Sequence, residues 1–329
     1  MGTAGLRKKS KVVMQEHYFE NFLQSIFNTI DPAGKTFVVG GDGRFYNSIA
    51  IQKLIKMAAA NGVKKLIVGQ NGFLSTPASS NMILKRRTDG GFVLSASHNP
   101  GGENGDFGIK FATETGGQCS SRVSDRIFAV SQTISEFKTV DAADIDLSRL
   151  GTQNLEGMEI EIVDPISDYV ELMEKIFDFE LIKKMFANGF TMRFDAMNAV
   201  TGPYAIRIFE EILGAAKGSV LNAVPKPDFG GLHPDPNLVY AKELVNIMYA
   251  DDAPDFGAAN DGDGDRNMIL GKKFFVTPSD SLAILTDNYD LIPAYKGGIY
   301  GVSCSVGSKP YHIDCNGNYS GYSHPGNTL

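Results

Sequence analysis

A serine follows an apolar run that ends abruptly in turn residues. Residues 92–94 have the side chains of a buried strand, and the chain continues as Ser95-Ala96-Ser97-His98-Asn99-Pro100-Gly101-Gly102. Pro100 prevents the strand from continuing, and the two glycines permit close approach of a bulky ligand. This pattern places Ser97 where a nucleophilic hydroxyl is expected. An ordinary strand-to-loop turn explains these residues equally well, because all the polar types present favour turns.

Three carboxylates alternate with glycines in a second motif, Asp261-Gly262-Asp263-Gly264-Asp265-Arg266. A tight loop can turn all three toward one point, and their oxygens suit Mg²⁺, with a phosphate completing its shell and Arg266 beside it. A calcium helix-loop-helix site is excluded, because Arg266 occupies the position of its essential glycine and Lys272 that of its glutamate. A solvated acidic turn stays open as an alternative.

Lys110 and His98 lie close in sequence to Ser97. Lys110 suits a general acid or base or a phosphate clamp, although a surface lysine after a turn is the more frequent case. His98 suits contact with a transferring group or simple ordering of the loop. The sequence has no G-x-S-x-G elbow, Walker loop or kinase signature. A serine beside a metal loop and basic residues therefore favours phosphoryl transfer with the serine as phosphate carrier.

The composition predicts a globular protein of two domains or slightly more, with 329 residues, 43% apolar and 21% charged. The net charge of −7 opposes general affinity for nucleic acid or anionic membranes. The basic residues between 7 and 11 form either an anion pocket or a solvated patch. Three scattered cysteines predict no disulfide framework or zinc site. Neither a membrane-spanning run nor a secretion signal is recognised, and we expect a cytoplasmic protein.

Apolar periodicity predicts alternating strands and helices, and hence βαβ units in both halves of the chain. Residues 1–11 are expected to form a loop, and residues 141–161 to be irregular. Single helices are predicted over 17–29, 48–60, 123–137, 166–179, 201–213 and 241–249. Residues 274–292 predict a strand, a turn and a helix, and residues 298–302 predict a further strand. Residues 311–329 show neither helical nor strand periodicity.

Several segments together carry a family resemblance. They are residues 2–7, 69–72, 74–77, 95–100, 106–110, 228–237, 261–266 and 274–281. The combination resembles the α-D-phosphohexomutases, most closely eukaryotic phosphoglucomutase and its parafusin-like relatives. The resemblance implies tandem α/β domains with mixed sheets sandwiched by helices. Domain I is expected over residues 1–168 and domain II over 169–280, followed by a partial domain III with a divergent polar tail over 281–329.

The resemblance also implies an isomerase that interconverts glucose 1-phosphate and glucose 6-phosphate, with Mg²⁺ as cofactor and glucose 1,6-bisphosphate as activator. A small phosphosugar is the expected partner, and no signal for oligomeric state is present. The family's roles fall on these residues: catalytic, Ser97, His98 and Lys110; substrate-binding, Thr3, Arg7 and Arg266; metal-binding, Ser97 through its phosphate, Asp261, Asp263 and Asp265.

The chain departs from the family pattern at a few positions and at its end. Ser95 replaces a usual threonine, Asn260 an aromatic residue, and Asn198 and Leu232 histidines. The sugar-binding loop of the family's third domain and the phosphate-binding loop of its fourth have no counterpart. We therefore expect weak turnover from the chain alone, because phosphate affinity and positioning suffer. A phosphoprotein or binding module without turnover is the alternative, and an incomplete or misread chain is a third possibility.

Overall fold

Two β-sheets, each with helices on both faces, organise the computed structural model, which describes residues 5–295, 311–313 and 319–321. The strands of the first sheet are β1 (Leu6–Lys9), β2 (Thr36–Gly41), β3 (Lys65–Phe73), β4 (Gly90–Leu94), β5 (Asp106–Thr113), β6 (Gly151–Leu155) and β7 (Met158–Val163). The helices that accompany them are α1 (Ser10–Val13), α2 (Tyr18–Ile30), α3 (Asn47–Ala60), α4 (Thr76–Arg86) and α5 (Ser121–Ser131). The order of the strands in this sheet is β1-β5-β4-β2-β3-β7-β6.

The four central strands of this sheet, β4, β2, β3 and β7, are parallel, while β1, β5 and β6 pair antiparallel. The loops after β2 and β4 therefore leave the sheet at one edge, side by side, which is where open α/β sheets place their ligands. Strand β5 returns beside β4, with Lys110 opposite Val93. Leu23 of α2, Leu54 of α3 and Ile127 of α5 cover one face, and Met82 of α4 covers the other.

The second sheet contains β8 (Met192–Asp195), β9 (Val220–Leu221), β10 (Phe256–Asn260), β11 (Asn267–Gly271) and β12 (Phe274–Val276), in the order β12-β11-β10-β8-β9. The helices in this part of the chain are α6 (Ser167–Ile176), α7 (Phe179–Ala187), α8 (Thr201–Ala205, continued by a π-helix over Ile206–Ile212), α9 (Lys242–Met248) and α10 (Pro278–Asp287). Short 3₁₀ helices lie at Phe229–Gly231, before α9, and at Tyr289–Leu291 and Pro293–Tyr295, after α10. Residues around α8 pack on one face of this sheet and α9 on the other.

The predicted fold class and the βαβ alternation are confirmed, and several local predictions were wrong. Residues Leu6–Lys9 form an edge strand on β5 instead of a loop. The region expected to be irregular contains the β6–β7 hairpin, whose second strand alternates buried and half-exposed residues. The tail contains two short antiparallel strands, β13 (Tyr311–Ile313) and β14 (Tyr319–Gly321). The strand expected over 298–302 lies outside the described residues, and the domain boundaries stay predictions.

Three helices differ from their predicted extent for local reasons. The hydroxyls of Ser131 and Thr133 donate to backbone carbonyls, which competes with the helix and ends α5 early. The predicted helix over 166–179 stops at the extended residue Phe177, and Asp178 caps a second helix by accepting the amide of Leu181 at 2.9 Å. The predicted helix over 201–213 begins as α8 and widens into the π-helix. None of the helices in the described ranges combines the length and apolar character needed to cross a bilayer.

Candidate active site

The serine loop (residues 95–102) and the acidic loop (residues 261–266) meet at the carboxyl edge of the first sheet, although their contacting residues are 164 positions apart. Ser97 Oγ donates a hydrogen bond of 2.7 Å to Asp261 Oδ2, and Ser97 is 1% exposed. Its φ of 55° is left-handed, a conformation that costs a non-glycine residue about 1–2 kcal/mol. The surrounding hydrogen bonds must supply that energy, so the serine is held in place.

Those hydrogen bonds come from a buried ion pair that follows β2. The Arg44 guanidinium contacts Asp42 through Nε, at 2.9 Å to Oδ2, and donates through Nη2 to the Ser97 carbonyl at 2.7 Å. Ser95 Oγ donates to Asp42 at 2.6 Å and accepts the Ser97 amide at 2.7 Å. Both backbone groups of Ser97 are therefore fixed by the same network. Arg44 also donates to the carbonyls of Asn99 at 3.3 Å and Asp106 at 2.8 Å.

Asp42 and Arg44 belong to the turn Gly41-Asp42-Gly43-Arg44, and neither was predicted to have a role in the site. A usable signal was present, because an acid and a base flank a glycine directly after the buried strand β2. Opposite charges at the carboxyl end of a central parallel strand are rarely fully buried unless they are paired.

The acidic loop brings its three carboxylates together. One oxygen from each of Asp261, Asp263 and Asp265 lies within 4.8 Å of the others. Asp261 Oδ1 accepts three backbone amides of the same loop, each at 3.1 Å, which fixes its orientation. Gly262 is required here, because a Cβ would lie 2.6 Å from the Ser97 carbonyl oxygen. The predicted convergence of the three aspartates is thus present.

Asp263 supplies an observation that bears on metal binding. Among the residues that the structure describes, its Oδ1 is buried and has no hydrogen-bond partner. An unpaired buried carboxylate oxygen is costly, and a divalent cation among three carboxylates would satisfy it. The donor set consists entirely of hard oxygen atoms, so these residues can hold a metal ion.

Lys110 faces this loop and is 6% exposed, so the alternative of a surface lysine is wrong. Its Nζ lies 2.6 Å from Asp263 Oδ2 and 3.6 Å from Asp265 Oδ2. Thr76, at the start of α4, donates its hydroxyl to the same Asp263 oxygen. The amino end of α4 therefore adds a favourable dipole to the contact. Asp263 is thus held from the first unit, the part of the chain that forms the first sheet.

Burial, reinforced by the charges of Asp263 and Asp265, raises the pKa of Asp261 to about 7. Burial also acts to raise the pKa of Asp263, but the charge and hydrogen bond of Lys110 outweigh it, and that pKa is lowered. The aspartates thus differ because only one of the two buried carboxylates has a nearby cation. The negative charge that this loop concentrates is what a metal ion would offset.

Two exposed cations border the serine loop on its solvent side. Arg7 Nη1 donates to Asn99 Oδ1 at 3.4 Å, and Arg266 Nη1 donates to His98 Nδ1 at 2.5 Å. Partial burial, aided by the charge of Arg266, lowers the pKa of His98, which favours the neutral imidazole that can accept a hydrogen bond at Nδ1. Three groups predicted for the site, Arg7, His98 and Arg266, thus lie at the serine loop. Thr3 lies outside the described residues.

The chain is similar to known proteins in both sequence and structure. Two profiles of one family match the chain: phosphoglucomutase/phosphomannomutase alpha/beta/alpha domain I over residues 1–138, and domain II over residues 167–273. A phosphoglucomutase of Rhizobium radiobacter is 56% identical over 306 residues, covering 93% of this chain and 56% of that protein. A cytoplasmic phosphoglucomutase of Populus tremula is 50% identical over 326 residues, with the same coverages.

The solved structure of parafusin, a phosphoglucomutase from Paramecium in its open form, matches with a TM-score of 0.87 and 47% identity. The match covers 91% of this chain and 57% of that one. The chain spans about half the length of the curated relatives it matches. Both domain profiles occur in their numbered order, and the fold is shared with a phosphoglucomutase. The chain belongs to the phosphoglucomutase/phosphomannomutase family.

Proposed function

We propose that this chain performs phosphoglucomutase chemistry, interconverting glucose 1-phosphate and glucose 6-phosphate through glucose 1,6-bisphosphate, with Ser97 as the phosphate carrier. The observation that carries the proposal is the contact between the Ser97 hydroxyl and Asp261 in a loop of three carboxylates. A hydroxyl fixed beside a candidate metal site and flanked by arginines suits reversible phosphorylation. The names of the relatives support the choice of sugar phosphate.

The reaction proposed has two half-steps. In the first, the bond between phosphorus and Ser97 Oγ breaks, a bond from phosphorus to the 6-hydroxyl oxygen of glucose 1-phosphate forms, and the proton of that hydroxyl is transferred to Ser97 Oγ. In the second, the phosphate on carbon 1 of the bisphosphate returns to Ser97, and carbon 1 regains a hydroxyl. Glucose 6-phosphate leaves, and Ser97 again carries phosphate. Atoms balance without an external donor once the serine is phosphorylated.

Mg²⁺ is the proposed cofactor, held by Asp261, Asp263, Asp265 and a phosphate on Ser97. When bound, Mg²⁺ would supply charge stabilisation to the transferring phosphoryl group. The unpartnered, buried Asp263 Oδ1 supports this assignment. Glucose 1,6-bisphosphate is the proposed activator, because it can phosphorylate a free Ser97.

Lys110 is proposed to handle the proton of the attacking or leaving hydroxyl. Its contact with Asp263 holds the ammonium group beside the acidic loop, within the buried part of the site. Arg7 and Arg266 are proposed to bind the phosphate of the substrate, because both are exposed cations at the rim. His98 is proposed to position the transferring group. Thr3 is proposed to bind a phosphate of the substrate.

The proposed partner is a small phosphosugar, without nucleic acid or membrane, which agrees with the net charge of −7. The proposed location is the cytoplasm. A relative named as cytoplasmic matches, and plant relatives named as chloroplastic match at similar identity.

The test is turnover of glucose 1-phosphate by the purified chain with Mg²⁺ and a trace of glucose 1,6-bisphosphate. We expect glucose 6-phosphate from the native sequence and none from Ser97→Ala. Ser131→Ala, a half-buried serine at the end of α5 and outside the site, serves as a control and should retain activity. Activity that survives Ser97→Ala would overturn the proposal.

A second candidate is a phosphoprotein that accepts phosphate on Ser97 but does not complete the cycle. The contact of Ser97 with a loop of three carboxylates supports this candidate, because it meets the needs of a phosphate-accepting serine by itself. Phosphorylated Ser97 without any glucose 6-phosphate would support this candidate over the first.

A further inference from the structure

Residues 226–231 lie against the serine loop. They belong to the second unit, the part of the chain that forms the second sheet. The Pro227 carbonyl accepts the amide of Phe45 at 2.8 Å and that of Gly102 at 3.1 Å. The segment is itself anchored, because the Lys226 amide donates to the Asn198 carbonyl at 2.9 Å. One carbonyl thus joins both loops of the first unit, those after β2 and after β4, to the second unit.

Phe229 is the side chain that this segment delivers. It is fully buried, and its backbone has a left-handed φ of 54°. A Cβ on Gly101 would lie 2.8 Å from the ring, and one on Gly262 would lie 3.4 Å from its Cζ. The ring is therefore enclosed between the serine loop and the acidic loop.

The same ring covers the guanidinium of Arg44, whose Cζ lies 5.2 Å from the ring centroid. The nitrogens at the edge of the guanidinium are occupied by Asp42 and by three backbone carbonyls, including that of Ser97. Only its faces are free for packing, and an aromatic ring attracts a desolvated cation through its face. Phe229 therefore completes the surroundings of the residue that fixes Ser97.

We propose that Phe229 is a positioning residue, which holds the serine loop in its phosphate-accepting conformation by packing on Arg44. This proposal rests on the function proposed above for the role of Ser97, but its structural part can be measured separately. Phe229 contacts the loop from the second unit, so the geometry of the serine depends on the association of both units.

The test compares Phe229→Leu with Phe19→Leu, a matched control. Phe19 is equally buried, and it packs edge-on against Tyr46 and Phe107 in the core of the first unit. Leucine retains apolar volume in both variants and removes the aromatic face. Phe229→Met provides a second ring-free variant if the leucine variant folds poorly.

Two measurements are made on each folded variant. The first is amide hydrogen exchange of residues 95–99, referred to the amides of β3. The second is the rate at which glucose 1,6-bisphosphate phosphorylates Ser97, measured by mass spectrometry over a range of donor concentrations. We expect Phe229→Leu to accelerate the local exchange and to slow phosphorylation at saturating donor, each by roughly tenfold, with the half-saturating concentration unchanged. Phe19→Leu should change neither quantity.

Equal changes in both variants, or no change in Phe229→Leu, would overturn the positioning role. If Ser97 of the native chain accepts no phosphate, the proposed function fails, and the exchange measurement alone decides this proposal. Accelerated exchange confined to residues 95–99 in the Phe229 variants would then support it.

Discussion

The ion pair of Asp42 and Arg44 gives a quantitative prediction, because neither side chain is accessible to solvent. Asp42→Asn preserves shape but removes the charge, and arginine stays protonated at any pH of interest. Arg44 would then be a buried cation without a counter-ion, a defect that costs about 3–5 kcal/mol. Since domains are stable by only about 5–15 kcal/mol, this loss is a large fraction of the total. Denaturant unfolding followed by far-ultraviolet circular dichroism measures it, as the chain has no tryptophan.

Two controls separate the charge effect from a packing effect. The double variant Asp42→Leu with Arg44→Met should lose less stability than Asp42→Asn, because it leaves no charge buried. Arg207→Ala breaks an exposed ion pair with Glu211 and should leave the midpoint unchanged within error. A loss below about 1 kcal/mol for Asp42→Asn would refute the reasoning, since it is the size expected for a surface pair.

Further predictions concern backbone fit, metal and pH. Gly202→Ala should lower the melting temperature strongly, because its Cβ would lie 1.8 Å from a backbone carbonyl oxygen, while Gly117→Ala meets nothing closer than 3.5 Å and should be neutral. Mg²⁺ at a hundred times its Kd should stabilise the native chain by about 2.7 kcal/mol in thermal unfolding, and Asp263→Asn should abolish most of that gain. Burial acts to raise the pKa of Asp168, but hydrogen bonds from Lys85 and Arg86 outweigh this effect, and the pKa is lowered. The ionised Asp168 therefore stabilises the fold fully above the ordinary carboxyl pKa, and this contribution is lost as the pH falls toward the lowered pKa. The difference in stability between the native chain and Asp168→Asn should shrink on acidification. A difference that stays constant down to pH 2 would contradict this.

Features carried by contiguous residues were predictable from the sequence. The acidic loop folds on itself through hydrogen bonds between Asp261 and the next few amides, so its convergence follows from local spacing. The strand before Ser97 and the parallel arrangement of the central strands of the first sheet follow from apolar runs and turn residues in the same way.

Features that depend on contacts between distant segments were not predictable. Arg44 reaches Ser97 across 53 positions, and Phe229 reaches Arg44 from the other unit. The burial of Lys110 also depends on an acidic loop 153 positions away. No local pattern encodes such contacts, because they arise only when the sheet edges are assembled. The strand over Leu6–Lys9 was missed for the same reason, since its charged residues become a strand only by pairing with β5.

Both half-steps of the proposed reaction require that Ser97 carries phosphate. The direct measurement is peptide mapping by mass spectrometry after incubating the purified chain with glucose 1,6-bisphosphate and Mg²⁺. We predict one phosphate per chain, located on Ser97 and absent from Ser97→Ala. An unmodified Ser97, or a phosphate elsewhere that persists in Ser97→Ala, would contradict the account.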